Sequence, residues 1–470
     1  MHTIEQIFIN GEFVTPHGTE RFDLYNPATA QVIGQVRLAD EVDAARAVAA
    51  AKAAFPAWSQ TTKQERIAAL KRMHAAVAAR HDDLLEAVIE EYGAPASRSA
   101  WMASYPAEVI AQAIEALEAF EFVTPAGAAT VQMTPLGVAG LITPWNSDAG
   151  FICGKLAAAL AAGCTAVIKP SEMSALQTQI VTEALRDAAL PLGVFNIVTG
   201  RGETVGDTIS RHPDVAKISF TGSTHTGKAI LRNAAESFKR VTLELGGKSP
   251  TILLDDVDLA QAIPLVIQAG FMNSGQACVA GTRILVPYSR KAEIETALAQ
   301  AVAAVNSGDP RDKSTDVGPM VSAKQWQRVQ GYIRKGVEEG ARLLAGGEGR
   351  PEGTQDGWFV RPTLFADVNN QMTIARDEIF GPVLCVIPYR DEAEAIAIAN
   401  DTDYGLSAVV LGGADRARRV AQQIVSGRVL VNTLAHEPKA PFGGFKHSGA
   451  GREMGEWGIR AFMEPRSVLG

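Results

Sequence analysis

Between residues 137 and 220 the sequence alternates short apolar runs with helical patterns. GVAGLIT, TAVIKP, FNIV and AKISF are typical of buried strands, whereas 151–161 and 175–189 carry helical periodicity. Strands that alternate with helices in this way form a parallel sheet with helices on both faces. The pattern therefore predicts an α/β fold with a doubly wound, Rossmann-like sheet in this part of the chain.

The rest of the chain suggests further units. A second alternating region runs from about residue 244 to 431, and 470 residues are too many for one small core. Ahead of both regions, FINGEFV places Asn-Gly between two short strand patterns, as in a hairpin, and two long helical patterns follow, of which the second ends at Gly93. The glycine-rich tail after 442 is unlike a free domain, so we expect it to pack on another part or another subunit.

Composition excludes several classes of function. Hydrophobic residues make up 47% and charged residues 20% of the chain, and the net charge is −8. This balance is typical of a folded, water-soluble protein and argues against nucleic acid or an anionic membrane as the main partner. The most apolar stretch, 150–168, contains Lys155 and reads as a buried helix followed by a strand. With no secretory signal pattern at the start, we expect a cytoplasmic location.

The four cysteines form no CxxC pair and have no histidine at metal-ligand spacing, so neither zinc nor a disulfide framework is expected. Cys153, Cys164 and Cys385 lie in apolar runs typical of a core. Cys278 lies in GQAC, where glycine lets the backbone bend and expose a side chain.

The stretch GSTHTGKA, 222–229, is within one residue of a phosphate-binding P-loop. A P-loop needs Ser or Thr at its last position to bind magnesium, and this chain has Ala229 there. A glycine-rich turn from a strand into a helix still binds a dinucleotide phosphate through backbone N–H groups. GRGETVG, 200–206, approaches the dinucleotide fingerprint but has one residue too many, and by itself indicates a turn.

Seven short motifs make the pattern specific. In chain order they are TPWN, IKPSE, FTGS, VTLELGGKSP, NSGQACVAGTR, EIFGPV and PFGGFKHSG. Together they resemble the aldehyde dehydrogenase superfamily, and the resemblance covers essentially the whole chain. It implies oxidation of a small-molecule aldehyde by an NAD(P)-dependent enzyme.

The resemblance also implies a three-part architecture. The NAD-binding domain would comprise 1–118 and 136–246, and the catalytic domain 247–442. A small β oligomerisation element, 119–135 with 443–470, would join subunits by extending a sheet. A homodimer or homotetramer is implied.

Three residues would carry the chemistry. Hydride transfer from an aldehyde needs a carbon made tetrahedral by a nucleophile, and Cys278 matches the family cysteine in that role. Asn146 matches the amide that stabilises the oxyanion, and Glu244 the general base that activates water against the thioester. Relatives that pass the acyl group to coenzyme A usually lack this glutamate, so the expected product is a free acid.

For the cofactor, Lys169 and Glu172 match residues that hold the adenosine ribose. A carboxylate there accepts bonds from a free 2′-hydroxyl and repels a 2′-phosphate, so we expect NAD, with NADP possible. The other cofactor-binding residues implied by the resemblance are Trp145, Gly222, Ser223, Glu378 and Phe380.

The chain departs from the family pattern after PWN. Many members have an aromatic residue and proline there, whereas this chain has Ser147 and Asp148, and Gly154 replaces a frequent large aromatic. With Phe151 as a partial replacement and Phe442 as another tunnel residue, we expect a roomy tunnel for a bulky or aromatic aldehyde.

Alternatives remain at this stage. A semialdehyde dehydrogenase would bind a substrate carboxylate, through Lys439 or Arg283. Charges such as His436, Glu437 and Lys439 more often belong to a solvated loop, and a structural ion pair is the commoner use of an arginine such as Arg283. A P-loop NTPase and a non-catalytic relative are the other hypotheses. Ala229 argues against the first, and the joint presence of the three proposed catalytic residues argues against the second.

Overall fold

The computed structural model describes residues 1–354 and 356–470, which form four β-sheets. The strands of the described residues are β1 (His2–Ile4), β2 (Ile7–Ile9), β3 (Glu12–Val14), β4 (Arg21–Asn26), β5 (Gln31–Arg37), β6 (Val123–Ala126), β7 (Ala129–Pro135), β8 (Val138–Ile142), β9 (Thr165–Lys169), β10 (Phe195–Ile197), β11 (Val215–Thr221), β12 (Arg240–Glu244), β13 (Pro250–Leu253), β14 (Arg283–Pro287), β15 (Arg342–Ala345), β16 (Thr363–Ala366), β17 (Val383–Tyr389), β18 (Ser407–Leu411), β19 (Arg428–Val431), β20 (Gly449–Ala450) and β21 (Met463–Leu469).

The α-helices of the same residues are α1 (Glu41–Ser59), α2 (Lys63–Ala78), α3 (His81–Ala87), α4 (Ala96–Ala119), α5 (Asp148–Ala162), α6 (Ala175–Asp187), α7 (Asp207–Arg211), α8 (Thr224–Ala235), α9 (Leu259–Phe271), α10 (Lys291–Ala303), α11 (Ala323–Glu338), α12 (Thr373–Arg376), α13 (Glu392–Asn400), α14 (Ala414–Ala421) and α15 (Gly455–Arg460).

The largest sheet has the order β20-β12-β11-β8-β9-β10-β2-β3. Its strands run parallel from β12 to β10, and antiparallel strands close both edges. One apolar core lies between the sheet and α2, α4, α5 and α6, and another contains residues of α1, α7 and α8. The predicted α/β, doubly wound sheet is confirmed.

The second sheet has the order β15-β16-β17-β14-β13-β18-β19 and is parallel except at β15. Its strands read as nearly continuous apolar runs because helices cover both faces. All its strands come from residues after 249, and its apolar clusters are separate from those of the largest sheet.

A third sheet, β21-β7-β6, joins the C-terminal segment to the segment before β8. The pairing runs over seven residues, from Met463 opposite Pro135 to Leu469 opposite Ala129. The segment 443–470 also contributes β20 to the edge of the largest sheet, beside Glu244. The predicted bridging element therefore reaches into the sheet that bears a proposed catalytic residue.

The predictions for the N-terminal hairpin and for the second long helix had different outcomes. The hairpin formed by β2 and β3 turns at Asn10 and Gly11, both with positive φ, as a two-residue turn requires. The prediction of one helix for the second long helical pattern is wrong, because a turn at Ala79 and Arg80 separates α2 from α3. The pattern does end at Gly93, whose left-handed conformation closes a π-helical turn.

Candidate active site

The segment before Cys278 has an unusual backbone. After α9, the residues Asn273, Ser274 and Gly275 adopt φ of 56°, 58° and 73° in succession. Such values are unfavourable for residues with a side chain, and they persist where the surroundings impose them. A Cβ on Gly275 would lie 2.2 Å from the carbonyl carbon of Gly381, so glycine is required there.

Hydrogen bonds hold this strained loop in place. The Asn273 amide donates to the backbone oxygen of Asn146 at 3.2 Å, and the Asn146 amide donates to the backbone oxygen of Gln276 at 3.0 Å. The Ser274 hydroxyl accepts from the N–H of Gly318 at 2.9 Å. The turn that carries Asn146 and the loop that carries Cys278 are therefore bound to each other directly.

The loops meet in a cleft of about 210 Å³ between the two large sheets. Nine of the residues selected from the sequence line this cleft: Trp145, Asn146, Phe151, Gly222, Ser223, Glu244, Cys278, Glu378 and Phe380. The nucleophile, oxyanion donor and general base suggested by the motifs are among them, although they lie far apart in the sequence.

Cys278 is half-buried, unlike the other three cysteines, which are fully buried. Burial, followed by the charges of Glu378 and Glu244, raises the pKa of Cys278 to about 12. The charge of Arg428 acts in the opposite direction. The resting side chain is therefore a thiol, and its reactive thiolate needs a positive charge or a base.

Glu244 ends β12 and is almost fully buried. Among the described residues neither of its carboxyl oxygens has a hydrogen-bond partner. Burial, and then the charge of Glu453, raises its pKa well above the usual range. A buried carboxyl without partners is costly for the fold, and such groups are typical of catalytic positions.

A polar network beside Glu244 escaped the sequence analysis. The ammonium of Lys155, on α5, lies 2.5 Å from Glu453 and donates to the Ser219 hydroxyl at 3.0 Å. Ser219 in turn donates to Glu453 at 2.9 Å. The available signal was a single lysine within 150–162, a part of α5 whose other residues are apolar or small.

A second cleft of about 490 Å³ adjoins the first and is lined by Trp145, Lys169 and Gly222. Ser223 caps α8 by accepting from the N–H of Thr226 at 3.2 Å, so the helix N-terminus faces this space. The buried Thr221 hydroxyl, which also lines the cleft, has no partner among the described residues. These donors fit the phosphates of a dinucleotide.

Glu172 lies beside this second cleft. It is 3.3 Å from Lys169 and 3.3 Å from Arg201. Although burial opposes it, Lys169 lowers the pKa of Glu172, so the carboxylate is ionised at neutral pH. An ionised carboxylate fixed by two cations can accept hydrogen bonds from ribose hydroxyls.

Glu378 and Phe380 approach the cleft from the side of the second sheet. Glu378 accepts from the N–H of Gly247 at 3.0 Å, and burial raises its pKa to about 7. A Cβ on Gly246 would lie 2.4 Å from the Glu378 carboxyl, so this close approach requires glycine. Phe380, with φ of 61°, meets Trp145 edge-on at 5.5 Å between ring centres.

An enclosed, mostly apolar cavity of about 90 Å³ extends from Phe151. Gly154 and Phe442 line it, as expected for tunnel residues, whereas Ser147 lines neither this cavity nor the cleft. Space beside Gly154 is taken up by Val109 of α4, which lies 3.6 Å from where a Cβ would be. Close packing of α4 therefore fills part of the space that a large aromatic side chain at position 154 would occupy.

Asp148 has a structural role and does not line the tunnel. It is fully buried and accepts hydrogen bonds from the hydroxyls of Thr143 at 2.6 Å and Thr178 at 2.8 Å. Burial raises the pKa of Asp148 to about 7. The carboxyl ties the turn that carries Asn146 to α6, which the sequence pattern did not reveal.

The two cations suggested for a substrate carboxylate lie elsewhere. Arg283 is fully buried and donates to the backbone oxygens of Lys248, Ile398 and Ala399 and to Asn370. This arginine holds the fold, in line with the structural alternative for Arg283, although its partners are neutral oxygens and not the ion pair expected. Lys439 is exposed and lies 3.4 Å from the equally exposed Glu115, as expected for a solvated loop.

Within residues 1–354 and 356–470, no group of three or more His, Cys, Asp or Glu side chains is placed to hold a metal ion. In the same part of the chain no helix combines the length and apolar character needed to span a bilayer.

Comparison with known proteins decides the family. The profile of the aldehyde dehydrogenase family matches residues 13–468. The chain belongs to the aldehyde dehydrogenase family. The resemblance read from the seven motifs is confirmed, and the stretch 222–229 belongs to an aldehyde dehydrogenase and not to a P-loop NTPase.

Similar proteins match this chain over nearly their whole lengths. A 3-succinoylsemialdehyde-pyridine dehydrogenase from a Pseudomonas species is 43% identical, over 100% of this chain and 99% of the relative. Aldehyde dehydrogenase C of Pseudomonas syringae, a cysteine-to-alanine mutant solved with NAD⁺ and octanal, is 43% identical with a TM-score of 0.98, covering 100% of this chain and 97% of that one. A Mycobacterium tuberculosis aldehyde dehydrogenase complexed with NAD⁺ is 41% identical with a TM-score of 0.96, covering 99% and 98%.

Proposed function

We propose that this aldehyde dehydrogenase uses NAD to oxidise an aldehyde to its carboxylic acid through a covalent intermediate on Cys278. The observation that carries the proposal is the convergence of Cys278, Asn146 and Glu244 on one cleft that adjoins a second cleft suited to a dinucleotide. The NAD-complexed structures of two relatives support the choice of cofactor.

In the first half of the reaction the thiolate of Cys278 adds to the aldehyde carbon, and the carbonyl oxygen becomes an oxyanion. Asn146, whose motif matches the family's oxyanion donor, lines the same cleft as Cys278. Its amide already donates to Gln276, two residues before the nucleophile, so it is held next to the developing charge.

NAD, when bound, supplies the hydride acceptor. The chain would hold its pyrophosphate at the N-terminus of α8 with Ser223 and its adenosine ribose with Lys169 and Glu172. Glu378 and Phe380, which line the same cleft as Cys278, would bracket the nicotinamide end.

In the second half a thioester on Cys278 is hydrolysed. Glu244 takes a proton from water, which attacks the thioester carbon, and the thiolate of Cys278 leaves. The raised pKa of Glu244 makes it a stronger base than an exposed glutamate. The network of Lys155 and Glu453 lies beside this carboxyl and sets part of its charge environment.

The enclosed cavity favours a substrate with an apolar body. Phe151, Phe442 and Val109 lie around a narrow space, which suits a flat ring or an extended chain better than a branched group. Octanal in the Pseudomonas syringae relative and the pyridine-bearing semialdehyde in the name of another relative are compatible with such a cavity.

The domain boundaries proposed above, assembly as a homodimer or homotetramer, and a cytoplasmic location complete the proposal. Support for assembly comes from the sheet formed by β21, β7 and β6, whose outer strands have one unpaired edge each. A free strand edge is a surface on which a second subunit pairs.

The decisive experiment is the initial rate of NADH formation over short aliphatic, aromatic and carboxylate-bearing aldehydes, with the acid product identified. We expect turnover of aromatic aldehydes above that of acetaldehyde. A strong preference for acetaldehyde would contradict the apolar-body proposal, and a lack of NADH formation with every aldehyde would contradict the function itself.

A further inference from the structure

Arg428 is a charged residue close to the nucleophile for which the motifs give no role. It begins β19, is half-buried, and its guanidinium carbon lies 5.7 Å from the centre of the Phe442 ring, which lines the enclosed cavity. Its charge is felt at Cys278, where it lowers the pKa of the thiol, and together with partial burial it lowers the pKa of His436.

Most of the hydrogen-bonding capacity of Arg428 is unused. Its Nε donates to the Ser407 hydroxyl at 3.3 Å, and its two Nη atoms donate to no described residue. No carboxylate of the described residues lies within 4 Å of it. The Nη atoms are nevertheless not sealed in the core, because they are absent from the buried atoms without partners. They therefore reach open space.

Two other arginines of this part of the chain have partners for their donors, whereas Arg350 resembles Arg428 in having one bond from its Nε and an aromatic ring, Trp326, beside its guanidinium. Arg283 gives its donors to four oxygens, and Arg416 is paired with carboxylates, of which Glu392 lies at 2.7 Å. Burial lowers the pKa of Arg428, the sign of a cation removed from water without compensation. An uncompensated guanidinium near a reactive centre is a costly arrangement unless a ligand supplies the missing anion.

We propose that Arg428 binds a carboxylate carried by the substrate, so that the preferred substrates are aldehydes with an acid group at the opposite end. This inference rests on the proposed aldehyde oxidation. A guanidinium presents two parallel N–H donors that match a carboxylate, and the pair Nη1 and Nη2 is the free one here. Its guanidinium lies beside Phe442, which lines the proposed substrate cavity, and its charge acts on Cys278.

The test uses two pairs of aldehydes that differ only in the acid group: 4-oxobutanoate with butanal, and 4-carboxybenzaldehyde with benzaldehyde. For the intact protein we expect a higher kcat/KM for the acid member of at least one pair. In Arg428→Met this preference, the ratio of kcat/KM for the acid member to that for the neutral member, falls about 10- to 100-fold, because a hydrogen bond to a charged group is lost. A loss that both members share reports the effect of Arg428 on the pKa of Cys278 and cancels in this ratio. Arg428→Lys retains part of the preference.

Arg419→Met is the matched control, since Arg419 is exposed on α14, next to the sheet that contains β19, and its side chain makes no hydrogen bond or salt bridge among the described residues. Thermal unfolding of each variant verifies the fold, and Arg428→Lys serves if Arg428→Met does not fold. Suppose that Arg428→Met lowers kcat/KM equally for the acid and neutral members and raises the pKa that governs alkylation of the Cys278 thiol. This result would overturn the proposal, because Arg428 would then act on Cys278 alone. Equal rates in all variants would also overturn it, and no turnover of any aldehyde by the intact protein would remove the function on which it rests.

Discussion

The side-chain amide of Asn146 donates to the backbone oxygen of Gln276 at 3.0 Å, which binds the turn after β8 to the loop that carries the nucleophile. The bond links segments of the two large sheets at the point where chemistry is proposed. It also holds the amide against the loop of Cys278, which is the basis for its proposed role at the oxyanion.

Asn146→Ala is therefore expected to lower kcat by about 100- to 1,000-fold, the effect of removing one oxyanion donor, with a smaller change in KM. Steady-state kinetics with the best aldehyde of the panel measures this. Asn306→Ala, at an exposed position outside the clefts, is the control. A variant that changed KM alone would show that Asn146 positions substrate and does not stabilise the oxyanion.

Glu244→Gln separates the two halves of the reaction. Because Glu244 is proposed to activate water against the thioester, the variant should form NADH in a burst of about one equivalent per active site and then turn over slowly. Rapid mixing followed at the NADH absorbance measures the burst. Cys278→Ser should show neither burst nor turnover, and a burst in that variant would contradict the assignment of the nucleophile.

The buried carboxyl of Asp148 predicts a dependence of stability on pH. Its pKa is about 7 in the folded chain against 3.8 in the reference state, so it adds stability below pH 4 that is lost as the pH rises through 7. Asp148→Asn abolishes this titration. Relative to the unmutated protein, its Tm should be lower at pH 5 and should recover at pH 8.

Asp82→Asn, at a position that is 98% exposed, should show no such trend. A constant difference in Tm between Asp148→Asn and the unmutated protein across this pH range would mean that Asp148 is ionised throughout and that its bonds to Thr143 and Thr178 act without titration.

The carboxylate of Glu172 predicts cofactor choice. Glu172→Gln removes the charge that repels a 2′-phosphate and leaves Arg201, 3.3 Å away, to attract it. The ratio of kcat/KM for NADP to that for NAD should rise about tenfold, while Glu236→Gln, an exposed substitution on the same domain, leaves it unchanged. An unaltered ratio in Glu172→Gln would place the determinant of cofactor choice elsewhere.

The chemistry-bearing motifs could be read from the sequence because each is a local pattern: Cys278 beside glycine, Glu244 before two glycines, Asn146 in a turn after a strand. Arg428 and Glu453 could not, since each lies in an ordinary surface-like pattern and gains its meaning from a neighbour far along the chain. The role of Arg283 stayed ambiguous for the opposite reason. Its place five residues after Cys278 suggested the active site, but β14 carries it into the core, where backbone oxygens bind it.

The segment that follows Phe442 supplies Glu453 to the surroundings of Glu244 and adds β20 to the edge of its sheet. On the ribosome this segment emerges after every other group of the proposed site, at about 5–20 residues per second. The nucleophile is thus exposed for seconds before its full electrostatic setting exists. Maturation of the reactive centre is consequently a late event in biosynthesis, timed by the order of residues along the chain.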